Sequence, residues 1–409
     1  MRFLWVFLCV CSIGAGAFGA AIANLKEIEA KAADLKAKGD AAGALAEYEK
    51  AAALEPKSAR FQDEIGFLLA VLNRRDEAMS HFKRAIELDV RYAPAHYHLG
   101  VALWLAQQRE ASVPELQSAA ALDPKNADYQ GRLGEALDSI GQVTEAAPHL
   151  KAAATLRPSD AAAWERLGAA LRKINDLPGA LDAYRRAVDL RPSNAEARNN
   201  LGMTLVAMRR PDEGIAEFQK VLEADPANNT ARMNIGFTRL EQRQLDQAIS
   251  VFRDVIARDP NAAAAHYNLG VALKDKDNID AARGEFTRAL ALEPRMAEAH
   301  YMLGIVHWQS GEFDDAAKEM RAAIELRPDY SEAYFMLGTA LMQKRDLDGA
   351  EEALRTAIRL DPANPGAYNT LAQVLRKKGD IEGSKRMFAE GAKVKAAKEA
   401  ELGTMLQRK

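Results

Sequence analysis

The chain has 409 residues, of which 28% are charged, with 55 Lys and Arg against 58 Asp and Glu and a formal net charge of −3. So even a balance gives no electrostatic reason to hold nucleic acid or an anionic membrane. Its two cysteines, Cys9 and Cys11, lie close together near the N-terminus, so a chain without that segment has no disulfide and no thiol chemistry.

The first segment in chain order, MRFLWVFLCVCSIGAGAFGAAIA (1–23), has one charge, Arg2, then an apolar run from Phe3 to Ile13, then small residues ending in Ala21-Ile22-Ala23. This succession is that of a secretory signal peptide with an A-x-A cleavage site. Cleavage predicts a secreted or periplasmic protein. An uncut segment would instead anchor the chain by residues 3–23, since the stretch is just long enough to span a bilayer.

From Leu25 onward the sequence repeats itself. Residues 95–103 read AHYHLGVAL and residues 265–273 read AHYNLGVAL, and the gap of 170 residues is five times 34. A 34-residue frame runs from Leu25 to Lys398 as eleven copies without insertion or deletion, at 25–58, 59–92, 93–126, 127–160, 161–194, 195–228, 229–262, 263–296, 297–330, 331–364 and 365–398. The eighth residue of the frame is Gly in nine copies, the twentieth is Ala in eight, and the thirty-second is Pro in nine. A fixed period of this length signals a repeat architecture rather than two or three separate domains.

Each copy predicts two amphipathic helices. In the fifth, Trp164, Leu167, Gly168 and Leu171 share one face at i, i+3, i+4 and i+7, and Ala180, Tyr184, Ala187 and Leu190 share one face of the second helix. Gly168 and Ala180 let the two backbones approach, with Tyr184 filling the space beside them. Asn175-Asp176 supplies a stop for one helix and an N-cap for the next, and Pro192 ends the second helix. The last stretch, residues 399–409, reads as a charged capping helix or tail.

These residues resemble the tetratricopeptide repeat, with a large residue at position 4, Leu-Gly at 7–8, and Ala, Phe/Tyr, Ala and Pro at 20, 24, 27 and 32. The resemblance covers nearly all of the chain after residue 24. It implies an all-α fold, a right-handed superhelical solenoid of antiparallel helix pairs whose first helices line a concave surface. It also implies a non-enzymatic scaffold that binds protein. Departures lie at the ends, where Ala32 and Ala372 replace the Gly and the last copy has Ser384, Gly391 and Ala396 at signature positions.

No P-loop, hydrolase elbow, H-E-x-x-H or metal-spaced Cys/His cluster occurs, so no catalytic residue, metal or cofactor is assigned. His96, His266 and His300 fall at position 4 of the frame, and packing is the favoured role for them over metal binding.

Function is sought on the face that packing does not use. At about 100° per residue, positions 4, 7, 8 and 11 cluster on one arc of the first helix, and positions 2, 5, 6, 9, 12 and 13 point the other way. Copies four and five are polar there. Later copies carry Met203, Met233, Phe237, Tyr267, Val271, Tyr301, Ile305, Trp308, Phe335 and Met342, with a smaller group, Phe67, Tyr97, Val101 and Trp104, earlier. Packing between neighbouring first helices explains part of this stripe. The remainder, Trp104 and Trp308 above all, reads as a partner site.

Asn200, Asn234 and Asn268 fall at position 6 of three consecutive copies. They are either solvated polar positions or, as the resemblance implies, ligands for the backbone of an extended peptide. Arg132 and Arg166 extend that row and suit an acidic partner group. The expected binding set is Asn200, Asn234, Asn268, Met203, Phe237, Tyr267, Tyr301, Trp308, Phe335 and Arg166, and the expected partner is a protein or peptide, not nucleic acid. The rivals are an envelope-assembly or secretion component (polysaccharide export or pilus biogenesis), a regulatory arm acting with a separate glycosyltransferase, and self-association through the stripe.

Overall fold

The computed structural model describes residues 23–407. The expected signal segment, apart from Ala23, and both cysteines lie outside the described residues. Among those described there are 22 helices in consecutive pairs and no strand, as the all-α solenoid reading requires. No helix of the described residues is long and apolar enough to cross a membrane.

The chain divides into two compact units at Arg209/Arg210. In the first, the leading helices of the repeats are 23–37, Ala59–Val71, Ala93–Leu105, Ala127–Ser139, Ala161–Lys173 and Ala195–Ala207. Their second helices are Ala41–Leu54, Arg75–Leu88, Arg109–Leu122, Val143–Leu156 and Leu177–Leu190. The second unit opens with Pro211–Ala224. Its leading helices are Asn229–Glu241, Ala263–Asp275, Ala297–Gln309, Ser331–Gln343 and Pro365–Lys377, each followed by a second helix, the last of which is Ile381–Gln407. Within a unit each second helix packs on its own leading helix and on the leading helix of the next repeat.

The turn between the two helices has one geometry throughout. The fifteenth residue of all eleven frames has a positive φ, from 60° at Arg243 to 90° at Gly379. A residue in this left-handed conformation closes the helix by turning its amide back onto the last carbonyls, as Asn175 N–H does onto Arg172 O at 3.0 Å. The next residue then caps the second helix: Asp40, Asp176, Asp346 and Asp380 accept the backbone N–H three residues on, at 2.7–3.1 Å.

Inside a repeat, the close approach is set by the eighth and twenty-fourth residues. A Cβ added to Gly66, Gly168, Gly236 or Gly270 would stand 2.5–2.9 Å from the ring of Phe82, Tyr184, Phe252 or Phe286. Those rings are fully buried. Where the third copy has Ser112 in place of Ala, its hydroxyl donates to the Gly100 carbonyl at 2.7 Å, which satisfies that fully buried group.

Between repeats a second contact recurs. Position 4 donates a hydrogen bond to the carbonyl of the residue six earlier, the thirty-second of the preceding frame. The donors are His96 to Val90 at 3.0 Å, Gln130 to Pro124 at 3.3 Å, Trp164 to Pro158 at 3.1 Å, Arg198 to Pro192 at 3.0 Å, Arg232 to Pro226, His266 to Pro260 at 3.2 Å and His300 to Pro294 at 3.1 Å. A helix leaves its last carbonyls unpaired, and the following repeat supplies a donor just beyond that end. The histidines are therefore hydrogen-bonding residues of the repeat junction as well as packing residues.

Two consequences are testable by thermal unfolding. Gly270→Ala puts a methyl against the buried Phe286 ring at 2.7 Å and is expected to cost about 1–3 kcal/mol, more than Gly304→Ala, whose obstacle is the movable Met320 methyl. Arg243→Gly relieves a left-handed non-glycine residue at φ 60° and is expected to raise stability by up to about 1 kcal/mol. Equal losses for the two alanine variants, or a loss for Arg243→Gly, would contradict this reading.

Candidate interaction surface on the leading helices

The expected binding residues are divided between the units. Arg166, Asn200 and Met203 lie in the first, and Asn234, Phe237, Asn268, Tyr267, Tyr301, Trp308 and Phe335 in the second. All are on leading helices, at positions 5, 6, 9 and 12.

In the second unit the stripe is contiguous but half-sunk. Tyr301, Ile305, Trp308 and Phe335 pack against the core around Leu337, Leu341 and Met342, and Met233, Tyr267 and Val271 pack against the core around Leu269, Leu273 and Phe286. Tyr267 meets the Phe286 ring at 5.9 Å, and Tyr301 meets Tyr330 at 4.9 Å, with the Arg327 guanidinium 3.8 Å over the Tyr330 ring. Burial pushes the Tyr267 and Tyr301 hydroxyls up from their ordinary range.

Met342 is buried at 6% exposure and belongs to the core. Trp308, expected to be part of the partner site, is half-buried against that core, with its indole N–H shielded and without an acceptor. The ring leans inward because the neighbouring leading helix offers it an apolar wall. Phe237 is different: it is 38% exposed, the most open ring of the expected set.

The asparagines are half-buried. The Asn268 amide donates to its own helix at Ala264 O, 2.8 Å, whereas the side chains of Asn200 and Asn234 have no hydrogen-bond partner among the described residues. Arg166 is exposed and shares Glu135 with Arg132, at 3.1 and 3.0 Å.

In the first unit, Phe67, Tyr97 and Val101 come together with Phe82, His98 and Leu105 around a cavity of about 320 Å³. His98 Nδ1 lies 2.8 Å from the buried Asp63 carboxylate. Trp104 is not part of this wall and instead sits under the Arg109 guanidinium at 5.3 Å.

One group could suggest a metal. His307, Glu312 and Asp315 place ligand-type atoms within 4.8 Å of one another. The Arg283 guanidinium donates to Glu312 at 2.9 Å and His307 Nδ1 lies 2.5 Å from the same carboxylate, so this acid is already matched with positive and donor groups. Its carboxyl is held below the usual range first by the His307 hydrogen bond and then by Arg283.

A second polar device recurs at position 4. His96, His266 and His300 each turn Nδ1 onto a glutamate nineteen residues later, Glu115, Glu285 and Glu319, at 2.6–2.7 Å. Since Nε2 faces a carbonyl, both ring nitrogens donate only in the imidazolium form. The pattern His at 4 with Glu at 23 is visible in the sequence once that geometry is known.

A tetratricopeptide repeat model matches residues 97–160, 272–331, 301–365 and 335–400, and a model described as the cytochrome c-type biogenesis protein H TPR domain matches residues 150–262. The chain belongs to the tetratricopeptide repeat proteins. Among solved structures it is similar to yeast Tom70, at 17% identity over 94% of this chain and 96% of that one, with a TM-score of 0.49. It is also similar to MamA, at 25% identity over 41% of this chain and 97% of that one (TM-score 0.39), and to pilF of Pseudomonas aeruginosa, at 18% identity over 52% and 97% (TM-score 0.47). The comparison with curated proteins gives no match.

The His300–Glu319 pair makes a pH prediction. The Glu319 hydrogen bond raises the His300 pKa, which burial alone would lower, and the Glu319 carboxyl, which burial alone would raise, is held below its ordinary range by His300. The histidine contribution is complete below its unfolded pKa and is lost as pH rises through the raised folded value. The glutamate contribution is complete above its unfolded pKa and is lost as pH falls through the depressed one. The stability difference between wild type and His300→Gln is thus expected to be greatest between about pH 4.5 and 6.5 and to shrink on the alkaline side. A difference in unfolding midpoint that stays constant from pH 5 to 9 would contradict the pairing.

Proposed function

We propose that the protein is a non-enzymatic scaffold that binds extended protein segments along the leading-helix surface, the side that the family resemblance implies is concave. Tetratricopeptide repeat proteins are in general protein-interaction modules. The observation that carries the reading is the combination at positions 6 and 9 of the same helices: Asn200 and Asn234 have unpaired, partly exposed amides, and an open Phe237 ring stands beside Asn234. An amide donates and accepts at once, which matches a peptide backbone.

Magnitudes separate the two contributions. Hydrogen bonds at about 0.5–1.5 kcal/mol each fall short of the roughly 8.2 kcal/mol of a micromolar complex. Burying the open parts of the apolar stripe, at about 25 cal/mol per Å², supplies the larger share, less the cost of association. The asparagines then fix the register of the bound strand.

We further propose that residues 1–23 direct the chain out of the cytoplasm, to the periplasm or beyond. A role in assembling other envelope proteins is a second reading, favoured by the match of residues 150–262 to a domain named for cytochrome c-type biogenesis.

The test uses tagged full-length protein and partner capture from its own cells, quantified beside thermal unfolding. Phe237→Ala and the double change Asn200→Ala with Asn234→Ala are expected to reduce capture several-fold with little shift in unfolding midpoint. Trp308→Ala is expected to lower stability by about 1–3 kcal/mol because its half-buried ring packs on the core. Undiminished capture by both the Phe237 and asparagine variants would overturn the proposal.

A further inference from the structure

Two glycines three residues apart in the helix Ala127–Ser139 are there for different reasons. A Cβ on Gly134 would stand 2.6 Å from Leu150 Cγ, so packing demands the glycine. A Cβ on Gly131 would meet only the Ala153 methyl, at 3.5 Å, an ordinary contact. Glycine inside a helix costs about 1 kcal/mol relative to alanine, and nothing in the packing of this repeat requires it at 131.

The absent side chain leaves a cavity of about 260 Å³. Gly131 occupies position 5, where other repeats carry Tyr97, Tyr267, Tyr301 and Phe335. Tyr97 itself forms one wall, with Leu150 and Ala153 at the base. The volume is below the roughly 300–1,000 Å³ of small-molecule and cofactor sites and suits one large side chain.

The rim carries Arg132, Arg157 and Arg166 with Asp128, Glu135 and Asp160. The acids are largely engaged, only Asp160 Oδ2 being left over. Asp128 takes both terminal nitrogens of Arg157, at 2.7 and 2.5 Å. Asp160 caps its helix, accepting from Ala162 and Ala163 N–H at 3.0 and 3.3 Å. Glu135 is shared by Arg132 and Arg166.

The guanidiniums are not used up. Each carries five N–H groups. Arg132 places one on Glu135, and the second reach of Arg166, toward Asp160, is 4.0 Å, beyond hydrogen-bond length. Arg132 and Arg166 therefore keep N–H groups that no side chain of the rim accepts, and a carboxylate is the peptide group that fits a two-pronged guanidinium donor.

We infer that the Gly131 pocket is a docking site for an acidic peptide segment, which inserts one aromatic side chain into the space that position 5 leaves open and places an adjacent carboxylate on Arg132 and Arg166. This rests on the proposal that the leading-helix face binds extended protein segments. It adds an anchor in the first unit, in the repeats whose sequence there is most polar.

The probe is a set of fluorescein-labelled nonapeptides of alanine and serine with a central Tyr-Glu, Tyr-Gln or Ala-Glu, titrated against the full chain by fluorescence polarisation. Tyr-Glu is expected to bind about tenfold more tightly than either control, a difference of about 1.4 kcal/mol. Gly131→Leu fills the pocket and is expected to abolish that preference with an unchanged or higher unfolding midpoint, which separates occlusion from misfolding. Arg132→Gln with Arg166→Gln should remove the advantage of Glu over Gln while keeping that of Tyr over Ala. Equal affinities for the three peptides, no measurable binding of any, or a Tyr-Glu preference that survives Gly131→Leu would overturn the inference. If the preference survives Gly131→Leu but is lost in Phe237→Ala, the pocket is wrong and the broader reading of the face stands.

Discussion

Everything in this molecule depends on how closely the two helices of a repeat approach. The eighth residue is glycine because a fully buried ring or branched side chain from the second helix lies directly over it, as Phe286 does over Gly270 and Leu354 over Gly338. That contact consumes the inner arc of each leading helix. The open parts of the opposite arc, such as Phe237, are then where sequence can vary with least effect on the fold, and this is where an interaction site can be written repeat by repeat.

Rigidity of that surface comes from the junctions. The donor at position 4 closes the carbonyl left open past the preceding helix, and it does so as His, Gln, Trp or Arg. Since the leading helices of copies three to nine are tied in this way to the end of the preceding repeat, their side chains at positions 5, 6 and 9 keep a fixed spacing within a unit. A row of groups held in this way is suited to an extended chain, whose own groups recur regularly. Pre-arranged contacts also lessen the ordering cost of binding.

Much of the fold could be read from the sequence because a 34-residue frame repeated without slippage overdetermines it. The turn at Asn175-Asp176 and the stop at Pro192 are dictated by residue chemistry alone. Other features could not be read. Left-handed Arg209, Arg243 and Arg345 give no local signal, since arginine has no preference for that conformation, and only the frame betrays them. The junction donors escape notice because four chemically unlike residues do one job. The packing of Trp308 depends on how a neighbouring helix shapes its wall, which a helical wheel does not contain. The pocket at Gly131 is hidden for the opposite reason: polarity in copies four and five reads as a solvated face, whereas an out-of-frame glycine is the informative residue.

The central claim is that the leading helices, not the second helices, face the partner. Site-specific photocrosslinking resolves this most directly, with a benzoylphenylalanine placed at Phe237 or at Arg253, which is exposed on the second helix Leu245–Arg258. Crosslinks from position 237 to one contiguous partner segment, mapped by mass spectrometry, with none from 253, are the predicted result. Crosslinking from 253 alone would contradict it.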